Sequence, residues 1–161
     1  MKYLLCGFVC VFFATMTWSQ DSDKGSDPGE WLESKNFIFK AETVTPSRGR
    51  VRQLTSPYDL VVKPDTVTAF LPYFGRAYVA PIDPSQGGIK FTTSEFDYEL
   101  KKGRKKNWEV TIKPSGAQDV QYLYLTVHDN ARATLRVVTV NRQPISFSGT
   151  VEEGTAAKKG F

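Results

Sequence analysis

The chain has 161 residues, of which 40% are hydrophobic and 24% charged. These figures exclude a collagen-like, coiled-coil or multi-span membrane protein and describe one ordinary globular domain. The formal net charge of +4 is too mild for a dedicated nucleic-acid binder, which needs a concentrated basic face.

The start is basic at Lys2, then uncharged and apolar from Tyr3 to Met16, then Thr17-Trp18-Ser19. A basic start, an apolar run and small residues before the cut define a secretory signal, cleaved here after Ser19. The alternative is an uncleaved membrane anchor; the run is shorter than the ~20 apolar residues of a membrane span, so a cleaved signal is expected, with no span after cleavage. Both cysteines, Cys6 and Cys10, lie inside this signal. The mature chain then has no thiol, disulfide or thiolate metal site, and its core must hold by itself. Removing Lys2 leaves 20 basic against 17 acidic residues, a mature charge of +3. The expected location is periplasmic or secreted.

Residues 20–29 are polar and read as a flexible tether. Asp27-Pro28 signals a short helix through Lys35, with Asp27 as cap and Pro28 in the first turn. Trp31 and Leu32 are its only large apolar residues, so it is expected to add little to the core. From Asn36 on the pattern has period two, with Gly, Pro, Asn and Asp marking turns. Strands are expected at 37–42, 51–54, 60–62, 67–71, 88–92, 96–101, 108–113, 120–128, 132–140 and 145–151. The fold class is all-β: an antiparallel meander forming a curved sheet, a sandwich or a barrel, with a short N-terminal helix. One β-rich domain spans 30–151, and a frayed tail follows at 152–161.

Parity fixes two hairpins, because directly paired residues share a face. Phe96, Tyr98 and Leu100 must pair with even-numbered residues among Trp108, Val110 and Ile112, so their loop is odd in length. Leu123, Leu125 and Val127 face Ala133, Leu135 and Val137 across Asp129-Asn130-Ala131. Asn130 is the expected left-handed residue.

His128 is the only histidine. With no Gly-x-Ser-x-Gly elbow and one imidazole, neither a serine triad nor a histidine zinc site is supported. Glu95, Asp97 and Glu99 alternate on one strand ~7 Å apart, which geometry alone allows for glycoside hydrolysis. Nothing in the pattern raises the pKa of one of them, so a solvated face is expected. Lys101, Lys102, Arg104, Lys105 and Lys106 crowd one hairpin tip beside Trp108, where they discourage edge pairing or meet an anion. Tyr122, Tyr124 and Arg136 form an outer ladder that stabilises the sheet or stacks on a ligand. The most distinctive run is Phe70-Leu71-Pro72-Tyr73-Phe74-Gly75-Arg76-Ala77-Tyr78. Aromatic residues beside irregular backbone line a pocket or cap a core, and Arg76 among them needs a partner or a ligand.

Four segments together resemble one family: Asn36-Phe37-Ile38-Phe39, Leu71 to Tyr78, Gly87-Gly88-Ile89-Lys90-Phe91, and Asn141-Arg142-Gln143-Pro144-Ile145-Ser146-Phe147-Ser148-Gly149. It is the domain of unknown function 4251 family, exported proteins of Gram-negative bacteria. The resemblance covers about residues 30–151, and Val79 to Pro84 is less typical of it. It implies export and a single β-rich domain, and it carries no activity and no catalytic residues.

The function expected is an exported, non-catalytic binding or interaction domain for an envelope or extracellular ligand. Its tentative site is Tyr73, Phe74, Arg76, Tyr78, Tyr122, Tyr124 and Arg136, with no cofactor and no metal. Two alternatives stand beside it: a carrier of a small apolar ligand inside a curved sheet, and a hydrolase using the surface carboxylates.

Overall fold

The period-two pattern is realised as nine antiparallel strands and one short helix. The structure, a computed structural model, describes residues 27–76, 78, 87–103, 106–117 and 119–154. The expected signal at 1–19, most of the tether, Arg104, Lys105 and residues 155–161 lie outside the described residues.

Helix α1 (Pro28–Glu33) starts as expected, with the Asp27 carboxylate accepting from the Gly29 amide at 3.0 Å. It takes up Pro28 and Gly29, the last two residues of the segment read as a tether. Its end is a Schellman motif. The Asn36 amide donates to the Trp31 carbonyl at 2.9 Å and the Lys35 amide to that of Leu32 at 3.2 Å. Lys35 sits at φ 54°, where glycine is usual. The helix adds more to the core than expected, because Leu32 is fully buried. Gly29 also lies against the Trp108 indole, where a Cβ would come within 3.0 Å.

The strands are β1 (Phe37–Pro46), β2 (Arg52–Lys63), β3 (Thr66–Leu71), β4 (Ile89–Thr93), β5 (Phe96–Lys102), β6 (Asn107–Pro114), β7 (Val120–His128), β8 (Arg132–Thr139) and β9 (Ile145–Glu153). They form one sheet in the order β4-β3-β2-β1-β9-β8-β7-β6-β5. This resolves the three expected architectures into a nearly closed barrel. Every neighbour in the sheet is also a neighbour in sequence except β1 and β9, which bring the two ends of the domain together.

Eight antiparallel pairings lead from β4 round to β5. An even number of reversals means that β4 and β5 run the same way, with only residues 94–95 between them. They are one bent strand, whose first half pairs with β3 and whose second half pairs with β6. Thr93 holds the bend. Its hydroxyl lies 2.9 Å from the Ser115 carbonyl and accepts from the Glu95 amide at 3.1 Å.

Both hairpin registers are as parity requires: Tyr98 pairs with Ile112 and Leu100 with Val110, and Leu125 pairs with Leu135. The left-handed residue of the second loop is Ala131, at φ 59°, and not Asn130. A three-residue loop puts that conformation in its third position, and Asn130 instead accepts from the Arg132 amide at 3.1 Å. The expected strands at 51–54 and 60–62 are one strand, β2, which begins at Arg52. Ala41 pairs with Tyr58 and Thr43 with Gln53, so residues 54–57 stand opposite Glu42 alone. This bulge accommodates Pro57, which has no amide to donate. Across β9 the extra Glu42 presses the β1 backbone toward Gly149, where a Cβ would lie 1.8 Å from the Lys40 carbonyl oxygen.

One face of each strand fills the barrel. Phe37, Phe39, Phe147, Leu60, Ile112, Leu123 and Leu135 are all fully buried there. The α1 end is closed by the helix, with the Tyr98 hydroxyl donating to the Leu32 carbonyl at 2.8 Å. Among the described residues no helix is long and apolar enough to cross a membrane.

Candidate functional site

At the end of the barrel opposite α1, three connections are bonded to one another. They are the β1–β2 turn (47–51), the start and end of the β3–β4 connection (72–76 and 87–88), and the β8–β9 connection (140–144). Ser47 donates its hydroxyl proton to the Pro144 carbonyl. The Gln143 amide donates to the Arg76 carbonyl at 3.2 Å, and the Tyr78 amide to that of Asn141 at 2.8 Å. Tyr73 points back toward the barrel, with its hydroxyl 2.8 Å from the Arg76 carbonyl and 3.0 Å from that of Gln143. Burial holds this phenol above its ordinary value, against the pull of the Gln143 hydrogen bond and of Arg142. Gly75 fits because a Cβ there would lie 2.4 Å from the Tyr73 hydroxyl.

The node of this end is Arg142, which sequence reasoning did not single out. Its Nε lies 2.8 Å from Asp119 Oδ2, and the two side chains are only 10% and 13% exposed. Its Nη1 donates to the Gly88 carbonyl at 3.0 Å, and its guanidinium lies 5.1 Å from the Tyr73 ring centre. One buried cation therefore ties together the β3–β4, β6–β7 and β8–β9 connections. The available signal was that Asn141 to Gly149 belongs to the same resemblance as Leu71 to Tyr78.

Beside this node, Tyr58, Phe70, Leu71, Pro72, Tyr73, Phe74, Gly87, Gly88 and Lys90 line a surface hollow of about 290 Å³. Tyr58 and Phe70 stack with centres 5.5 Å apart. Lys90 lies 4.9 Å over the Phe70 ring and Arg52 5.2 Å over that of Phe74. Arg76, expected to need a partner, carries an exposed side chain that makes no ion pair among the described residues. Ala77 and Val79 to Pro84 lie outside the described residues.

The other tentative residues form a separate group. Tyr122 pairs with Val138 and Tyr124 with Arg136, as the register required. The two tyrosine rings stack at 5.7 Å on the outer face of the sheet. Among the described residues no hydrogen bond, ion pair or ring contact joins this ladder to Tyr73, Phe74, Arg76 or Tyr78.

The remaining candidates are placed as follows. Glu95, Asp97 and Glu99 are exposed, and Glu99 pairs with Lys101 at 2.9 Å. That hydrogen bond, with the charge of Glu99, holds the Lys101 ammonium above its ordinary value. Lys102 pairs with Glu33 of α1 at 3.2 Å. Trp108 is buried against Gly29 and is not part of an exposed basic tip. A second hollow, of about 500 Å³, lies at this end, lined by Asp27, Lys102, Gly103, Lys106, Asn107, Trp108 and Asp129. Its two lysines face two aspartates, so it has no dominant charge. His128 is half-buried rather than solvent-exposed, because its Nδ1 lies 2.8 Å from Asn107 Oδ1 across the β6–β7 ladder. Among the described residues no three His, Cys, Asp or Glu side chains gather to hold a metal ion.

A family model for a domain of unknown function, DUF4251, matches residues 20–151. No curated protein matches. Among solved structures, the chain is similar to a crystal structure of a DUF4251 family protein from Bacteroides eggerthii. The TM-score is 0.58 at 17% identity, over 79% of this chain and 85% of that one. At that identity the likeness concerns the fold.

Proposed function

The chain belongs to the DUF4251 family, and on that footing we propose that it is an exported, non-catalytic binding domain whose site is the barrel end around Tyr73, Phe74, Arg76 and Tyr78. The observation that carries this reading is the contrast at that end between a fixed frame and an exposed surface. Beside the Arg142 node, the Gln143 amide and the Tyr73 hydroxyl both hold the Arg76 carbonyl, which ties the end of the segment from Leu71 to Arg76 to the β8–β9 connection. The same segment leaves the Phe74 ring 41% exposed and the Arg76 side chain exposed. Rigid backbone presenting exposed aromatic and guanidinium groups is the arrangement recognition surfaces use, because little ordering entropy remains to be lost on binding.

The large side chains packed inside the barrel support an exterior site over an interior one. The β5 carboxylates, Asp97 exposed and Glu99 exposed but paired with Lys101, support binding without catalysis. Export rests on the sequence of the first nineteen residues.

The test is native mass spectrometry of the chain purified gently from the exported fraction, with Phe74→Ala and Arg76→Ala beside it. A retained extra mass in the wild type, lost from both variants at unchanged thermal midpoints, is the expected result. An extra mass that both variants keep would move the site elsewhere. Chain found only inside cells, with Met1 to Ser19 uncut, would refute export.

A further inference from the structure

The two ends of the barrel differ in charge. The described residues of the three bonded connections include Arg48, Arg50, Arg76 and Arg142 and no acid, and Arg52 and Lys90 flank them. In the β6–β7 connection at this end, Asp119 is held by Arg142, and Ser115 bonds the backbone of the exposed Glu95. Asp83 falls outside the described residues. At the opposite end Asp27, Glu30, Glu33, Asp65 and Asp129 are mixed with lysines. Cations concentrated on one end give the molecule an electrostatic direction.

The basic end also exposes apolar groups. Val51 is 62% exposed between Arg50 and Arg52 at the β1–β2 turn. Tyr78 is 68% and Phe74 41% exposed on the β3–β4 connection, which the β8–β9 connection joins to that turn. Gly49, at φ 128°, lets the turn project. A soluble polyanion offers nothing to an exposed valine. A lipid interface does, since apolar tips enter the acyl boundary, aromatic rings sit at headgroup level and guanidinium groups pair with phosphates.

We propose that this end of the barrel docks on the surface of an anionic phospholipid membrane, with Val51, Phe74 and Tyr78 at the interface and Arg48, Arg50, Arg52 and Arg76 on the headgroup phosphates. The proposal rests on the reading of this end as the binding surface, and it names the partner.

The experiment is sedimentation with vesicles of phosphatidylcholine alone and of phosphatidylcholine and phosphatidylglycerol in equal parts. The chain used begins at Gln20, which removes the apolar run of Tyr3 to Met16 and keeps every strand. Binding to the anionic vesicles, released by high salt, is expected. Each arginine removed should lower partitioning about fivefold, so Arg48→Ala/Arg50→Ala/Arg52→Ala loses roughly a hundredfold. Val51→Asp, at an exposed position, should weaken binding while leaving the thermal midpoint unchanged. Failure to sediment with anionic vesicles, equal binding to both compositions, or full binding by both variants would overturn the proposal. Dextran sulfate separates the two levels. If it is bound by the wild type and not by the triple variant while vesicles are ignored, the membrane is refuted and the binding end stands. If neither probe is bound, the membrane is refuted and the basic end loses its support as a binding surface.

Discussion

Removing Arg142 should destabilise the domain far more than removing any exposed arginine. Arg142→Ala leaves the Asp119 carboxylate, 13% exposed, without its partner 2.8 Å away. It also strips the Gly88 carbonyl of its donor and the Tyr73 ring of its cation. Breaking a buried pair from one side costs about 3–5 kcal/mol, against about 0–1 for an exposed pair. Asp119→Ala should cost less, about 2 kcal/mol, because Arg142 keeps a carbonyl and an aromatic face. The double variant should cost about 1–3 kcal/mol less than the sum of the singles, because both remove one interaction. Urea unfolding of the four proteins at a common slope measures all three quantities. A cost below about 1 kcal/mol for Arg142→Ala, or strict additivity, would show that the pair behaves as a solvated one and that Arg142 is not the node.

Three further outcomes follow from the geometry. Gly149→Ala must displace the Lys40 carbonyl, which is backbone and cannot swing aside; a loss of about 3 kcal/mol by denaturant titration is expected, and a loss near zero would contradict the close approach. Ala131→Gly relieves a left-handed alanine and should gain about 0.5–1 kcal/mol after the added freedom of the unfolded chain is counted; a loss would refute the strain. Burial holds the Tyr98 phenol above its ordinary 10.0, so the stability tied to its neutral form is whole below that pH and is lost as pH climbs toward the folded value. Tyr98→Phe should flatten the alkaline limb of the stability curve, and an unchanged limb would assign it to other groups.

The registers were legible because side-chain alternation leaves no freedom once both faces of a hairpin are read. Even-numbered Tyr98 had to meet even-numbered Ile112, and it does. The continuity of β2 was not legible. Ser56-Pro57 reads locally as a break, and only the bulge opposite Glu42 lets one strand carry it. The left-handed position of the β7–β8 loop was misassigned by residue preference, since Asn tolerates it best while the loop geometry places it on Ala131. The aromatic run from Leu71 to Tyr78 stood out in sequence and does sit at a bonded end of the barrel. Arg142 did not stand out, because nothing local marks it as buried. Its partners Asp119 and Gly88 are distant in sequence and meet it only after the sheet has curled.

The pairing of β1 with β9 makes the domain a ring in all but covalent bonding. Asn36 and Gly154 stand at its join, with the Gly154 amide on the Asn36 carbonyl at 3.0 Å and the Asn36 side chain on the Gly154 carbonyl at 2.9 Å. A chain emerging from synthesis cannot complete that join until its last strand is available, so folding waits on the longest loop closure in the molecule. The same adjacency permits circular permutation. A short linker across 36 and 154, with new ends cut at the 94–95 bend, would preserve every ladder pair of the barrel while converting its slowest contact into a local one.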